Sequence, residues 1–287
     1  LGDVYKRQVY NIFFHSIVNN GRNVLENRLK YDGDAYQIDF TDLEEKLQDT
    51  QTTLLLFCNP HNPVGKIWDR ETLQRIGDLC VKYHVTVLSD EIHCDITEPG
   101  YDYTPFASVS ENCRNNSITC VSPTKAFNLA GIQTAAVIVP NDNLRHKVVR
   151  GLNTDEVAEP NVFAAISPIA AFGRGGEWLD ALREYLWENR RYAEEYIKNE
   201  IKGVSAVPAR ATYLLWINCR SITGDSWELC RFIRSHSGLY LSDGNDYRNG
   251  SGFLRMNLAC PRQQVEDGMK RLRDSVKAYE SWVCEPS

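Results

Sequence analysis

No run of lysine or arginine stands out in this chain of 287 residues, and the formal net charge is −6. An acidic chain without a basic stripe lacks the electrostatic footprint of a nucleic-acid-binding protein. No apolar stretch approaches the roughly 20 residues needed to cross a bilayer. The first residues also lack the charged, apolar, small-residue order of a signal peptide. The nine cysteines form no C-x-x-C pair, and their number is odd. Scattered in this way, they point to reduced, mostly buried thiols in a cytoplasmic protein rather than to a disulfide framework. In that setting the sequons Asn115-Asn116-Ser117 and Asn249-Gly250-Ser251 carry no meaning. Internal repeats and low-complexity tracts are absent as well.

Hydrophobic residues make up 43% of the chain, enough for a sizeable core and, at this length, about two domains. Residues 1–8 (LGDVYKRQ) have neither an apolar period nor a cap, and are set aside as a sequencing or assembly scar. Beyond them helix and strand signals alternate. Thr41-Asp-Leu-Glu44 reads as a capping box opening a short helix. The run Thr52–Phe57 is continuously apolar and short, as a buried strand is. Asp69 can cap a helix whose apolar face is Leu73, Ile76, Leu79, Cys80 and Tyr83. Val85–Ser89, Ser117–Val121 and Ala135–Val139 follow as strands. This alternation predicts an α/β unit with a mostly parallel sheet covered by helices, over residues 9–175. From 176 to 287 the pattern changes. After a glycine loop at Gly173–Gly176 comes a long helix over about 177–200, then strands at Thr212–Ile217 and Phe253–Leu258. A last helix carries Val265, Met269, Leu272 and Val276. This is a smaller α+β unit joined by a long helix. The glycine cluster has no strand before it at the spacing a phosphate loop needs.

Three strand ends of the first unit deliver polar residues. Asn59-Pro-His-Asn62-Pro-Val-Gly65 follows the first buried run, Asp90-Glu-Ile-His93 the second, and Ser122-Pro-Thr-Lys125 the third. Ligands of parallel sheets bind in the crevice at the carboxyl ends of strands, so an amide, a carboxylate and an amine there suggest one site. A partly desolvated lysine is freed to react with a carbonyl. A carboxylate beside a pyridine nitrogen keeps it protonated, and the ring becomes an electron sink. An amide can bond a phenolic ring oxygen. Each residue also has a bland reading. Asn-Pro pairs are ordinary turn formers. A lone lysine belongs most often on the surface. Asp90-Glu91-x-His93-x-Asp95 could suggest a metal, but no second histidine stands at ligand spacing. Against these readings stands the fact that the three motifs occur together and in order.

In that order the motifs resemble fold type I pyridoxal-phosphate (PLP) enzymes, the class I/II aminotransferase fold. Asn62-Pro-x-Gly65, Asp90 and Ser122-x-x-Lys125 carry the resemblance, with 28 residues from Asn62 to Asp90 and 35 from Asp90 to Lys125. The words CNPHNPVG, SDEIH, TPFASVS, SPTKAFNLAGIQT, GEWLDALREYL, ATYLLW, LSDGNDY and FLRMNLACPR resemble the MalY/PatB-type branch of cystathionine β-lyases and cysteine-S-conjugate β-lyases. They extend over residues 9–280. The resemblance implies that Lys125 holds pyridoxal 5'-phosphate covalently and that Asp90 pairs with the ring nitrogen. It implies that Asn62 bonds the ring oxygen, with His93 near the same oxygen where aminotransferases usually have tyrosine. It further implies that Ser122 binds the phosphate, Tyr10 stacks on the ring, and Arg255 clamps the substrate carboxylate by a bidentate fork. No metal is implied. The implied reaction is β-elimination from cystathionine or a cysteine conjugate, by a homodimer acting on a small amino acid. The alternatives are an aminotransferase on the same fold, and a regulatory protein with an aminotransferase-like domain. Two departures stand out. Tyr103 occupies a position where the family commonly has histidine before TPFAS. The family also extends about a hundred residues further at the N-terminus, where part of the phosphate cradle lies.

Overall fold

The computed structural model describes residues 2–7, as backbone alone, and residues 12–284. Eleven strands form two sheets. The first contains β1 (Gly2–Arg7), β2 (Asn23–Tyr31), β3 (Tyr36–Ile38), β4 (Thr52–Cys58), β5 (Thr86–Asp90), β6 (Ser117–Val121) and β7 (Ala136–Ile138) in the order β3-β2-β1-β4-β5-β6-β7. Its five inner strands are mutually parallel, and β3 and β7 close the two edges antiparallel. The second is an antiparallel sheet of β8 (Ser205–Ala206), β9 (Leu214–Asn218), β10 (Ser242–Asp243) and β11 (Phe253–Asn257), in the order β10-β11-β9-β8. A mostly parallel α/β sheet followed by a smaller α+β unit is the arrangement expected.

Local chemistry explains most boundaries. The helix Arg70–Lys82 begins where the Asp69 carboxylate accepts the Thr72 amide at 2.7 Å, satisfying one of the donors every helix start leaves unpaired. Its Leu73, Ile76 and Cys80 are buried against the sheet. The last helix, Arg262–Cys284, buries Val265, Met269, Leu272 and Val276 as their spacing predicts.

Three expectations need correction. The second helix runs over Phe40–Gln48 and is capped by Asp39, not Thr41, because the Asp39 carboxylate reaches the Asp42 amide. The glycine cluster is mostly helix: Phe163–Arg174 runs through Gly173, Gly175 alone breaks it, and Gly176–Glu200 resumes. A Cβ on Gly175 would lie 2.5 Å from the Ala171 oxygen and 2.6 Å from the Phe127 ring, so the break requires glycine. Residues 2–7 form β1, which pairs in continuous register with β2 on one side and, across a register shift between Gly2 and Val4, with β4 on the other. Val4 and Tyr5 favour a strand, and two parallel neighbours supply the ladder that no local period announces.

The two sheets share side chains. Trp216 of β9 and Phe253 of β11 lie in the same apolar cluster as Leu55, Phe57 and Val87 of the first sheet. Their neighbours Leu215, Ile217 and Leu254 point the other way, into a second cluster with Ala193, Val265 and Met269. The period of two along a strand therefore stitches one core to the other.

Candidate active site

The parallel ladder brings three strand ends to one level. Cys58, the last residue of β4, pairs with Asp90, the last of β5, and Asp90 pairs with Cys120 of β6. The segments leaving these strands therefore converge at the carboxyl edge. Asn59–Gly65 leaves β4, Glu91–Ile96 leaves β5, and Ser122–Lys125 leaves β6 into a short helical turn.

Asp90 and His93 are both buried. Burial pushes the Asp90 carboxyl up to about 6, against the pull of the Ile92 amide and of Lys125. The Ile92 amide donates to its Oδ1 at 3.2 Å. His93 is driven the other way, to about 3, first by burial and then by the charges of Lys125 and Arg255. It stays neutral, and its Nδ1 has no hydrogen-bond partner among the described residues. Arg255, half-buried on β11, donates from Nη1 to Asn62 Oδ1 at 3.3 Å and from Nη2 to Ser242 Oγ at 3.2 Å. Its guanidinium carbon lies 5.0 Å from the centre of the Tyr247 ring. The second sheet thus carries an arginine to the amide of the first sheet's loop.

The sequence-derived candidates Asn62, Asp90, His93, Ser122, Lys125 and Arg255 gather at this edge. Tyr10 lies outside the described residues. Ser122 is buried, and its hydroxyl is already engaged: it faces the Thr134 carbonyl at 2.7 Å and accepts the Thr124 amide at 3.1 Å. Lys125 lines a cavity of about 380 Å³ together with Tyr213 and Asn257. A larger hollow of about 540 Å³ beside β2, lined by Glu26, Arg28 and Asp39, contains none of these residues.

Sequence reasoning missed several neighbours. Tyr213 meets the His93 ring edge-on, with centroids 5.9 Å apart. Glu91, next to Asp90, is fully enclosed and accepts the Ser89 hydroxyl at 2.8 Å and the Phe106 amide at 3.0 Å. Tyr103, the departure from the family pattern, donates to the Asn59 carbonyl at 2.9 Å and accepts from Asn59 Nδ2 at 3.2 Å. Because the Asn59 amide donates to the Asp90 carbonyl at 3.0 Å, Tyr103 braces the loop bearing Asn62 against the loop bearing Asp90. Burial raises the carboxyl of Glu91, with the Phe106 amide, Ser89 and Tyr103 opposing. The sequence signals were the departure at Tyr103 and the place of Glu91 beside Asp90.

A buried carboxyl, a neutral imidazole with an orphan nitrogen, a side-chain amide, an amine and an arginine make a donor set for a small molecule with three features. It would carry a basic ring nitrogen, a ring oxygen and a carbonyl, beside a carboxylate-bearing substrate.

Known proteins are similar to the chain in sequence and fold. The family described as Aminotransferase class I and II matches residues 6–272. Over 271 residues the chain is 39% identical to cystathionine beta-lyase PatB of Bacillus subtilis (strain 168), a match that spans 94% of this chain and 70% of that protein. It is 30% identical over 279 residues to protein MalY of Escherichia coli (strain K12), covering 96% of this chain and 71% of that one. Cystalysin from Treponema denticola, solved with a pyridoxal 5'-phosphate cofactor, superposes with a TM-score of 0.93 at 30% identity, over 96% of this chain and 71% of that chain. With nearly the whole chain covered by the match and the strand-end residues gathered at one edge, the chain belongs to the aminotransferase class I and II family.

Proposed function

We propose that the chain is a PLP-dependent carbon–sulfur β-lyase, cleaving cystathionine or another cysteine S-conjugate to a thiol, pyruvate and ammonia. The observation that supports it most is the convergence of Asp90, His93, Asn62 and Lys125 at one strand edge, with Arg255 brought in from the second sheet. The similarity to cystathionine β-lyase PatB and to cystalysin points the same way.

The residues fit the cofactor. Asp90 would pair with the ring nitrogen and keep it protonated. Asn62 and the orphan Nδ1 of His93 are the polar groups for the ring oxygen. Pyridoxal 5'-phosphate, when bound, supplies an electron sink for the pair left at Cα. Lys125 would hold the cofactor until the substrate amine takes its place, and its freed amine would then take the Cα proton and give it to the departing sulfur. Arg255 grips the α-carboxylate and so fixes which Cα bond faces Lys125. The C–S bond then breaks, the sulfur leaves as thiol, and the remaining enamine takes up water to give pyruvate and ammonium. Ser122 contributes to the phosphate end of the site in this reading, and Tyr10 to stacking on the ring.

Thiol and pyruvate assays test the reading. Loaded protein given an S-alkyl cysteine is expected to release both in equal amounts, with no 2-oxo acid consumed. Transamination with no thiol from any conjugate would overturn it in favour of the aminotransferase. Borohydride reduction is expected to fix the cofactor on Lys125 alone, and Lys125→Ala to lose at least ~10³-fold in pyruvate formation.

The protein acts in this reading as a cytoplasmic homodimer. No disulfide joins the eight cysteines from Cys58 to Cys260 whose side chains are described, and among the described residues no helix is long and apolar enough to cross a membrane. Exposed Phe163, Ile166 and Ile169 on one helix offer an apolar patch for association. Light scattering is expected to give twice the chain mass; a monomer at micromolar concentration would remove the dimer from the proposal.

A further inference from the structure

Resting on the lyase reading, we propose that the cavity beside Lys125 seats the sulfur substituent of the substrate. It selects uncharged aromatic or bulky apolar groups over the charged amino-acid arm of cystathionine.

The cavity starts at the reacting centre. Lys125 is one of its walls, and Tyr213, whose ring edge meets His93, is another. Asn257 also lines it, two residues beyond Arg255 on β11. Residues two apart on a strand share a face, so Arg255 and the cavity lie along the same side of β11. A substrate held by its carboxylate on Arg255, with Cα beside Lys125, has this hollow next to its Cβ and sulfur. The volume, about 380 Å³, lies in the range of small-molecule sites and leaves room for an aromatic ring.

One wall is apolar, and the polar side chains Thr124, Asn128, Tyr185 and Asn257 that also line the cavity are neutral. Trp178, Leu182 and Leu186 come from the helix Gly176–Glu200 at intervals of four, so they form one stripe facing the cavity. Trp178 is held in place by Phe127, which stacks on it at 5.8 Å and 23° and meets Phe172 edge-on at 5.5 Å. Phe127 is two residues from Lys125, so the aromatic wall and the amine are built on one segment. Apart from Lys125, no charged side chain lines the cavity among the described residues.

The cations nearby are engaged elsewhere. Arg183 bonds the Thr97 carbonyl and hydroxyl at 3.0 and 2.9 Å. Arg262 bonds the Glu188 carbonyl at 3.0 Å and lies 4.6 Å from the centre of the Tyr192 ring. The distal ammonium and carboxylate of cystathionine would therefore meet no free counter-charge among the described residues, and unpaired charge is costly to desolvate. A benzyl or alkyl group can lie against Trp178, Leu182 and Leu186.

The test compares S-benzyl-L-cysteine, S-methyl-L-cysteine and L-cystathionine with the loaded protein, in the wild type and in Trp178→Ala and Ala259→Phe. The second variant fills the cavity from an exposed position. Binding without turnover is measured by calorimetry with 3-(benzylthio)propanoate and 3-(methylthio)propanoate, which lack the amine. In the wild type, kcat/KM is expected to favour S-benzyl over both other substrates by roughly tenfold or more. The benzyl acid is expected to bind tighter than the methyl acid by a similar factor. Both preferences should shrink at least fivefold in each variant. Cystathionine turned over as well as S-benzyl-L-cysteine, or preferences unchanged in both variants, would overturn the proposal while leaving thiol release, and so the lyase, intact. If no conjugate releases thiol, the lyase reading falls, and the calorimetric preference alone decides the cavity.

Discussion

Asp90 and His93 stand three residues apart and answer the same burial in opposite directions, one upward to about 6 and one downward to about 3. The stability consequences have opposite signs. In cofactor-free protein Asp90 keeps its proton to a higher pH than in the unfolded chain. Folding therefore loses stability as pH rises from 3.8 to about 6, by on the order of 3 kcal/mol at ~1.4 kcal/mol per pH unit. His93 refuses a proton that the unfolded chain accepts. Its contribution is present above 6.5 and is lost as pH falls towards about 3. Between pH 4 and 6 the two slopes oppose each other. In urea unfolding of the cofactor-free wild type over that window, these two contributions to the pH slope are thus expected to cancel each other. Relative to wild type, His93→Gln should make the slope of stability against pH more negative, and Asp90→Asn should make it more positive. Identical slopes in all three proteins would show that neither group feels the burial assigned to it.

The loop Asn59–Gly65 is the element on which both halves meet. Gly65 has φ of +71°, its carbonyl accepts the amides of Arg210 and Ala211 at 3.0 Å each, and a Cβ there would lie 2.5 Å from the Ala211 oxygen. Gly65→Ala is therefore expected to cost at least about 2 kcal/mol, from left-handed backbone plus contact with an oxygen that cannot yield. It should also weaken cofactor binding through Asn62, read by equilibrium dialysis. Stability within 0.5 kcal/mol of wild type would mean the loop relaxes freely. Much of this element could be read from sequence. Asn62-Pro-x-Gly65, Asp90 and Lys125 are local words at strand ends, and continuous apolar runs such as Leu54–Phe57 need no partner to be recognised. Contacts between distant residues could not be read. Tyr103 bracing Asn59 joins positions 44 apart, and Tyr213 reaches His93 only through the second sheet. β1 escaped because a parallel strand draws its ladder from neighbours that its own sequence does not reveal. Tyr103→Phe removes the brace while keeping the ring. Its expected mark is a raised KM with a smaller change in kcat and partial rescue in Tyr103→His; wild-type kinetics in Tyr103→Phe would leave the tyrosine a packing residue.

Across the whole molecule, the seam between the two sheets is a wall of stacked rings. Trp216 lies parallel to Phe253, 5.2 Å between centroids and 4° apart, and its Nε1 donates to Tyr36 Oη at 3.1 Å. Tyr31 and Tyr247 add edge contacts. Pulling one sheet from the other would strip apolar surface on both sides and leave a buried indole N–H unpaired. Calorimetry of the cofactor-free protein is expected to show one transition; two resolved peaks would mean that the seam does not couple the units. Because the indole of Trp216 has its acceptor on the first sheet and its stacking ring on its own sheet, parting the sheets takes away the acceptor and opens the indole to water while the stack remains, which shifts its emission to the red. The molecule thus carries a native fluorophore for the moment its halves come apart.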